Sequence, residues 1–252
     1  MKQELPTYSP GSRGAGLLML LLVPFLFSCQ RLADREKATI DGQFLHAAGA
    51  KVLLQEMDPK ELRNLDSALI DRQGKFRFSV PLTEPGFFLL SSSDKGVLVL
   101  LLQPGEQPEI TGNWSTFPKE IRLTGSPGSE FLGEFFEYSS RNKERLDSLE
   151  AILVEKQDDD DFFQVAQALD PLFNAIYEDQ RRYEKAFIDR HLQSLASLVA
   201  LNYAFGLHPV LTWKDDPEYY RKVDSSLSLA FPASKHVVYH RKRVMEYQQG
   251  AK

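Results

Sequence analysis

Cys29 is the only cysteine among the 252 residues, and it follows the apolar run Leu17 to Phe27, which is interrupted only by Pro24 and preceded by Lys2 and Arg13. A basic start, a short apolar stretch and a small residue before the cut make the layout of a secretory leader. A membrane-spanning helix needs about 20 consecutive apolar residues, and this run is too short. In Leu26-Phe27-Ser28-Cys29 a leucine stands three places before the cysteine and a small residue just before it. That is a lipobox pattern, which predicts cleavage between Ser28 and Cys29 and acylation of the Cys29 sulfur. Several acyl chains, each worth about 0.8 kcal/mol per buried methylene, hold a protein firmly on a bilayer. The expected partner of Cys29 is therefore the membrane itself.

Other groupings are weighed against plainer explanations. Asp158-Asp159-Asp160-Asp161 clusters carboxylates as a hard cation would require, but without the glycine and distal glutamate of a calcium loop; a solvated connection between helices is the expectation. His236 and His240 stand four apart on a predicted helix, which puts two imidazoles on one face as zinc sites use them. A third ligand is needed and the intervening Val237-Val238-Tyr239 has no glutamate, so surface or half-buried histidines are expected. Lys235 and the run His240-Arg241-Lys242-Arg243 form a candidate basic patch for anionic headgroups, set against the reading of a solvated helix face. Trp114, Trp213 and the pairs Phe87-Phe88, Phe135-Phe136 and Phe162-Phe163 read as core aromatics. There is no Gly-x-Ser-x-Gly elbow and no glycine-rich phosphate loop, so no catalytic, cofactor or metal residue is expected.

The elements that carry these residues change character along the chain. Hydrophobic residues at 42% and charged residues at 26% are those of a folding chain. A net charge of −5 argues against nucleic acid, because phosphate-backbone affinity comes from an excess of Lys and Arg. After a leader at 1–28 and a polar tether at 29–37, short β-type runs recur at 38–45, 50–56, 66–70, 74–80, 86–92, 96–102, 107–111 and 119–124. This is the spacing of roughly 8 to 12 residues that marks a sandwich or barrel. Phe76, Phe78 and Val80 alternate with Lys75, Arg77 and Ser79, which predicts one buried and one wet face. Asp71-Arg72-Gln73-Gly74 reads as a turn with Gly74 at positive φ. Val97 to Leu102, apolar throughout, predicts a central strand covered on both faces.

Gly125-Ser126-Pro127-Gly128-Ser129 reads as a small-residue hinge, with Ser129 as the N-cap of the first of several helices. Beyond it the apolar spacing becomes helical: one helix follows at once, a second carries Phe162 to Phe187, and others fall at about 193–205, 217–230 and 233–247. Asp216-Pro217 opens one of these as cap and first-turn proline. The expected class is α+β, with an antiparallel β-sandwich-like domain at 38–125 followed by a helical region at 126–252.

Thr39-Ile40-Asp41-Gly42, Val52 to Gln55, Asp66-Ser67, Gly74 to Phe78, Leu102 to Glu106 and Leu123 to Ser126 resemble, in order and spacing, the β-rich domain of unknown function of family forty-three sixty-nine. That domain precedes the thioredoxin module of TlpA/ResA-like envelope lipoproteins. Phe187-Ile188, Ser194 to Leu198 and Phe231 to Lys235 are similar to the helical linker of those proteins. The resemblance implies a bacterial envelope lipoprotein, with a separate thioredoxin-like protein as a candidate partner. It carries over no redox residue, because the family's module uses a Cys-x-x-Cys pair and this sequence has one cysteine. The expectation is a chain without the thioredoxin module, held at the cell envelope, on the outer membrane facing the periplasm. It would act as a non-enzymatic binding and interaction module, or alternatively as the docking half of a split thiol–disulfide system.

Overall fold

The computed structural model describes Met1 and residues 36–93 and 95–250. Residues 2–35, which include Ser28, Cys29 and most of the tether, lie outside the described residues. Eight strands come first: β1 (Lys37–Leu45), β2 (Lys51–Met57), β3 (Leu62–Leu69), β4 (Lys75–Pro81), β5 (Gly86–Ser91), β6 (Val97–Leu102), β7 (Glu109–Asn113) and β8 (Arg122–Thr124). Helices α1 (Pro127–Lys156), α2 (Phe162–Arg190) and α3 (Ala196–Leu201) follow. A small hairpin, β9 (Ala204–Phe205) with β10 (His208–Pro209), separates them from α4 (Pro217–Ala230) and α5 (Lys235–Gln248). The class is α+β, as the periodicity predicts.

The strands form two four-stranded sheets, β4-β1-β7-β8 and β3-β2-β5-β6. All pairs are antiparallel except β1 with β7, which run parallel. Between the sheets lies one core, with Ile40, Phe44, Phe78 and Ile110 from the first facing Val52, Leu54, Phe88, Leu90 and Leu100 from the second. The alternation of Phe76, Phe78 and Val80 is realised as buried against exposed residues along β4. Gly74 turns the chain at φ +79°, and a Cβ there would stand 2.2 Å from the Phe44 carbonyl oxygen.

The second sheet is covered on both sides along β5 and the second half of β6, while β3 is exposed. Odd residues of β5 and β6 point away from the sandwich: Phe87 and Leu101 belong to a separate core with Leu132 and Phe135 of α1, Phe187 of α2, Leu198 and Leu201 of α3, and Val237 of α5. The molecule thus has three layers: sheet, sheet, helices. Leu100 to Leu102 of β6 are covered on both faces, as expected, but Val97 is exposed and β6 is an edge strand rather than a central one. Its open side is closed by the start of α1.

That junction also corrects the reading of a hinge. Ser126 occupies the N-cap position with no side-chain cap, Pro127 takes the first turn, and Ser129 lies inside the helix. The serine hydroxyls serve the sheet instead. Leu101 N–H donates to Ser129 Oγ at 2.9 Å, and Ser129 Oγ can donate back to the Leu101 carbonyl at 3.1 Å. Ser126 Oγ donates to Glu106 Oε2 at 2.7 Å, and a hydroxyl has one proton to give, so this set satisfies every group at once. Gly128 allows the approach, since a Cβ there would meet Leu101 Cγ at 2.8 Å and its carbonyl oxygen at 3.0 Å.

The predicted helix at 193–205 is shortened to six residues because Asn202 Nδ2 donates back to the Leu198 carbonyl at 2.7 Å and Gly206, at φ +61°, turns the chain into the β9–β10 hairpin. Asp216 is the N-cap residue of α4, but its fully buried carboxylate meets Arg181 and Lys185 of α2, both at 2.7 Å. It fastens α4 to α2 rather than capping its own helix.

Replacing Ser129 with alanine leaves the buried Leu101 N–H without an acceptor, which costs about 1–3 kcal/mol. Urea unfolding of Ser129→Ala is expected to show a midpoint lowered accordingly, whereas Ser140→Ala, at an exposed position of the same helix, leaves it within about 0.5 kcal/mol.

Candidate functional site

A cavity of about 510 Å³ opens where the outer face of the second sheet meets the helices. Phe87 and Val99 form its floor, Phe136 of α1 with Leu198 and Val199 of α3 one wall, and α5 the other. Met57, Asp58 and Pro59, from the turn between β2 and β3, close one end. The α5 wall consists of His236, Tyr239, His240 and Arg243, a spacing of three, four and seven that places all four on one helical face. An apolar cavity of this size with a few converging polar groups is the usual form of a small-molecule site.

The two histidines are buried rather than superficial, at 8% and 5% exposure. The His236 ring stands edge-on to Phe87 with centroids 4.9 Å apart. Its Nε2 is buried and has no hydrogen-bond partner. Burial, reinforced by the neighbouring Lys235 ammonium, pushes its pKa down to about 4 against the weaker pull of Asp58 and Glu56. His240 is also held below its usual range by burial, and its Nε2 lies 3.3 Å from the Tyr220 carbonyl oxygen. Both rings are therefore neutral near pH 7, and the His240 nitrogen faces an acceptor rather than a metal. No group of three metal-ligating side chains occurs among the described residues.

The basic run is dispersed. Lys235 meets Glu56 in a very short ion pair and Asp58 at 3.2 Å, joining α5 to the end of β2. Arg241 faces Asp224 at 3.7 Å, and Lys242 faces Glu246 at 3.8 Å. Arg243 differs from all of them. Its guanidinium lies over the Tyr247 ring at 5.5 Å and donates to the Tyr247 hydroxyl and, at 3.4 Å, to Asn202 Oδ1, all neutral partners.

The remaining candidates fall elsewhere. Asp158 to Asp161 are exposed between α1 and α2, with Asp159 paired to Lys156 at 2.7 Å. Trp114 stacks on Phe117 in the sandwich core, and Trp213 on Tyr247 in the helical layer. Phe87, Phe88 and Phe135 are buried and Phe136 lines the cavity. Phe162 and Phe163 depart from the core reading: they are exposed, Phe163 at 76%, where α1 turns into α2. There the two helices have only each other to pack against, and one aromatic face cannot be covered.

A second buried cluster lies between α1 and α2. Gln180 Nε2 donates to Ser139 Oγ at 2.8 Å and to Glu184 Oε1 at 3.1 Å, while Asn142 Nδ2 donates to Gln180 Oε1 at 3.1 Å. Glu184 is fully buried, and its Oε2 has no partner. Burial, with a smaller contribution from Asp216, raises its pKa to about 9 despite the Gln180 bond. It is a neutral acid at pH 7. The sequence signal was present but unread: Ile176, Gln180, Glu184 and Phe187 share the buried stripe of α2, where a polar residue marks an interior network. Likewise the pair His236 and His240 extends, one turn on, to Arg243.

The architecture defines a two-sheet β-sandwich backed by a helical layer. Residues 38–132, which contain both sheets from the second residue of β1 and the first turn of α1, match the family described as domain of unknown function, DUF4369. No curated protein matches the chain.

Two pH dependences follow. Protonation of His236 is opposed in the fold, so its burial lowers stability as pH falls from about 6.5 towards 4, where the unfolded chain binds the extra proton. The gain in melting temperature of His236→Phe over the parent is expected to be larger at pH 5 than at pH 7.5. Glu184 has the opposite sign: its folded pKa is raised, so stability falls as pH rises from about 4.5 to 9. Glu184→Gln is expected to gain on the parent at pH 8.5 relative to pH 5.5 in the same thermal melts.

Proposed function

We propose that this protein is a non-enzymatic binding module of the bacterial cell envelope, anchored through acylated Cys29, that holds a small ligand in the cavity between the second sheet and α5. The cavity carries the binding part of this reading. Its lining is mainly apolar, and its two histidines are neutral near pH 7. The anchor rests on the sequence Leu26-Phe27-Ser28-Cys29 at the end of the apolar run. In this reading the chain sits on the outer membrane, facing the periplasm. A second reading, docking of a separate envelope protein such as a thioredoxin-like partner, is favoured by the exposed apolar side chains of Ile152, Val154, Phe162, Phe163 and Leu172 towards the far end of the α1–α2 pair.

Mass spectrometry of the protein isolated from bacterial membranes tests the anchor: the expected N-terminal residue is Cys29 carrying a diacylglyceryl group. Cys29→Ala is expected to lose incorporation of alkyne-tagged palmitate completely. A free Cys29 thiol in the membrane-bound protein would overturn the anchor.

A further inference from the structure

Resting on the cavity as the ligand site, we infer that it takes a single-chain amphiphile with an anionic head, and that the head lies at Arg243 with the apolar chain running towards Phe87 and His236. Three observations fix the class and the direction.

Arg243 is a cation at the cavity wall whose partners are all neutral, namely the Asn202 amide oxygen, the Tyr247 hydroxyl and the Tyr247 ring. The other basic residues of α5, Lys235, Arg241 and Lys242, each have a carboxylate. A guanidinium left without an anion beside an apolar cavity is suited to a carboxylate or phosphate, which it binds through two parallel hydrogen bonds. Charge also sets the orientation, because Arg243 is the one Lys or Arg among the described lining residues, while the opposite end of the cavity holds Asp58, whose charge is matched by Lys235 and which offers an anionic head no free cation.

The lining between these ends suits a hydrocarbon chain. His236 and Arg243 are seven residues apart on α5, about 10 Å along the axis, and Phe87, Val99, Phe136, Leu198 and Val199 face that length. Both histidines are neutral, so no second positive charge competes for the head. A compact hydrophilic ligand would leave this apolar wall wet, whereas a chain displaces that water at about 25 cal/mol per Å² buried.

The test uses the full chain in nanodiscs, without detergent, and two photoreactive probes that share a nine- or ten-carbon tail, matched to the length of about 10 Å between Arg243 and His236: the fatty acid with a terminal diazirine, and the matching uncharged alcohol. The acid is expected to crosslink to the peptides that carry Phe87, Val99 or His236. Arg243→Gln, a half-exposed substitution that leaves the core untouched, is expected to cut acid labelling about tenfold and to leave alcohol labelling unchanged. Val199→Phe, which fills the cavity, is expected to suppress both. A diazirine-bearing lysophosphatidylglycerol distinguishes a phosphate head from a carboxylate, and labelling by either that depends on Arg243 supports the inference. Equal labelling by acid and alcohol, insensitive to Arg243→Gln, overturns the anionic head while the cavity remains a binding site. Labelling that Val199→Phe does not reduce overturns both.

Discussion

Closure of the β6 edge by the start of α1 is the constraint on which the rest of the arrangement depends. An unpaired strand edge presents donors and acceptors that must find partners, and here Ser129 answers both backbone groups of Leu101. Gly128 sets how near the helix can come. With α1 fixed at that point, its Leu132 and Phe135 are laid against Phe187 of α2. Glu106, held above its usual carboxyl range by burial, takes the Ser126 hydroxyl and the Gln103 N–H into the same knot. The joint between the β-rich and helical parts is therefore packed and hydrogen-bonded, although its composition of glycine, serine and proline is that of a loose connection.

The cavity follows from this geometry. Along β5 and β6 the second sheet has two faces to bury, and the outer one is broad where these strands offer Phe87, Val99 and Leu101. α3 is only two turns long, because the β9–β10 hairpin interrupts it, so it covers part of that face and α5 leans over the remainder. Lys235 pins the start of α5 to Glu56 and Asp58. The gap enclosed by these supports is the space that the proposed ligand fills. Its polar groups arise from one face of a single helix, which keeps them in register.

Period-two alternation made the strands legible, since it survives in any sheet with one wet face, and the turn at Gly74 was legible because its backbone requires a residue without Cβ. The edge position of β6 was not. An all-apolar run states that both faces are covered, but it says nothing of hydrogen-bond neighbours. The histidine pair on α5 was readable as a spacing, yet its burial depended on a sheet distant in sequence. The charges of Lys235 to Arg243 looked like one patch because their partners, Glu56, Asp58 and Asp224, come from elsewhere in the chain. Asp216 shows the same limit: a residue at a helix start reads as a cap until a neighbouring helix supplies two cations.

The long α1–α2 pair has a mechanical side. With 30 residues, α1 extends about 45 Å; its own Ser126 and Ser129 grip β6 at the root, while the far end of the pair carries Phe162 and Phe163 of α2 in solvent. Such a pair is a lever with a short, stiff fulcrum. A load applied at the tip reaches the root as torque on Ser126, Ser129 and the strand edge they close. Phe136 of the same helix lines the cavity, so the joint that seats the lever also seats one cavity wall.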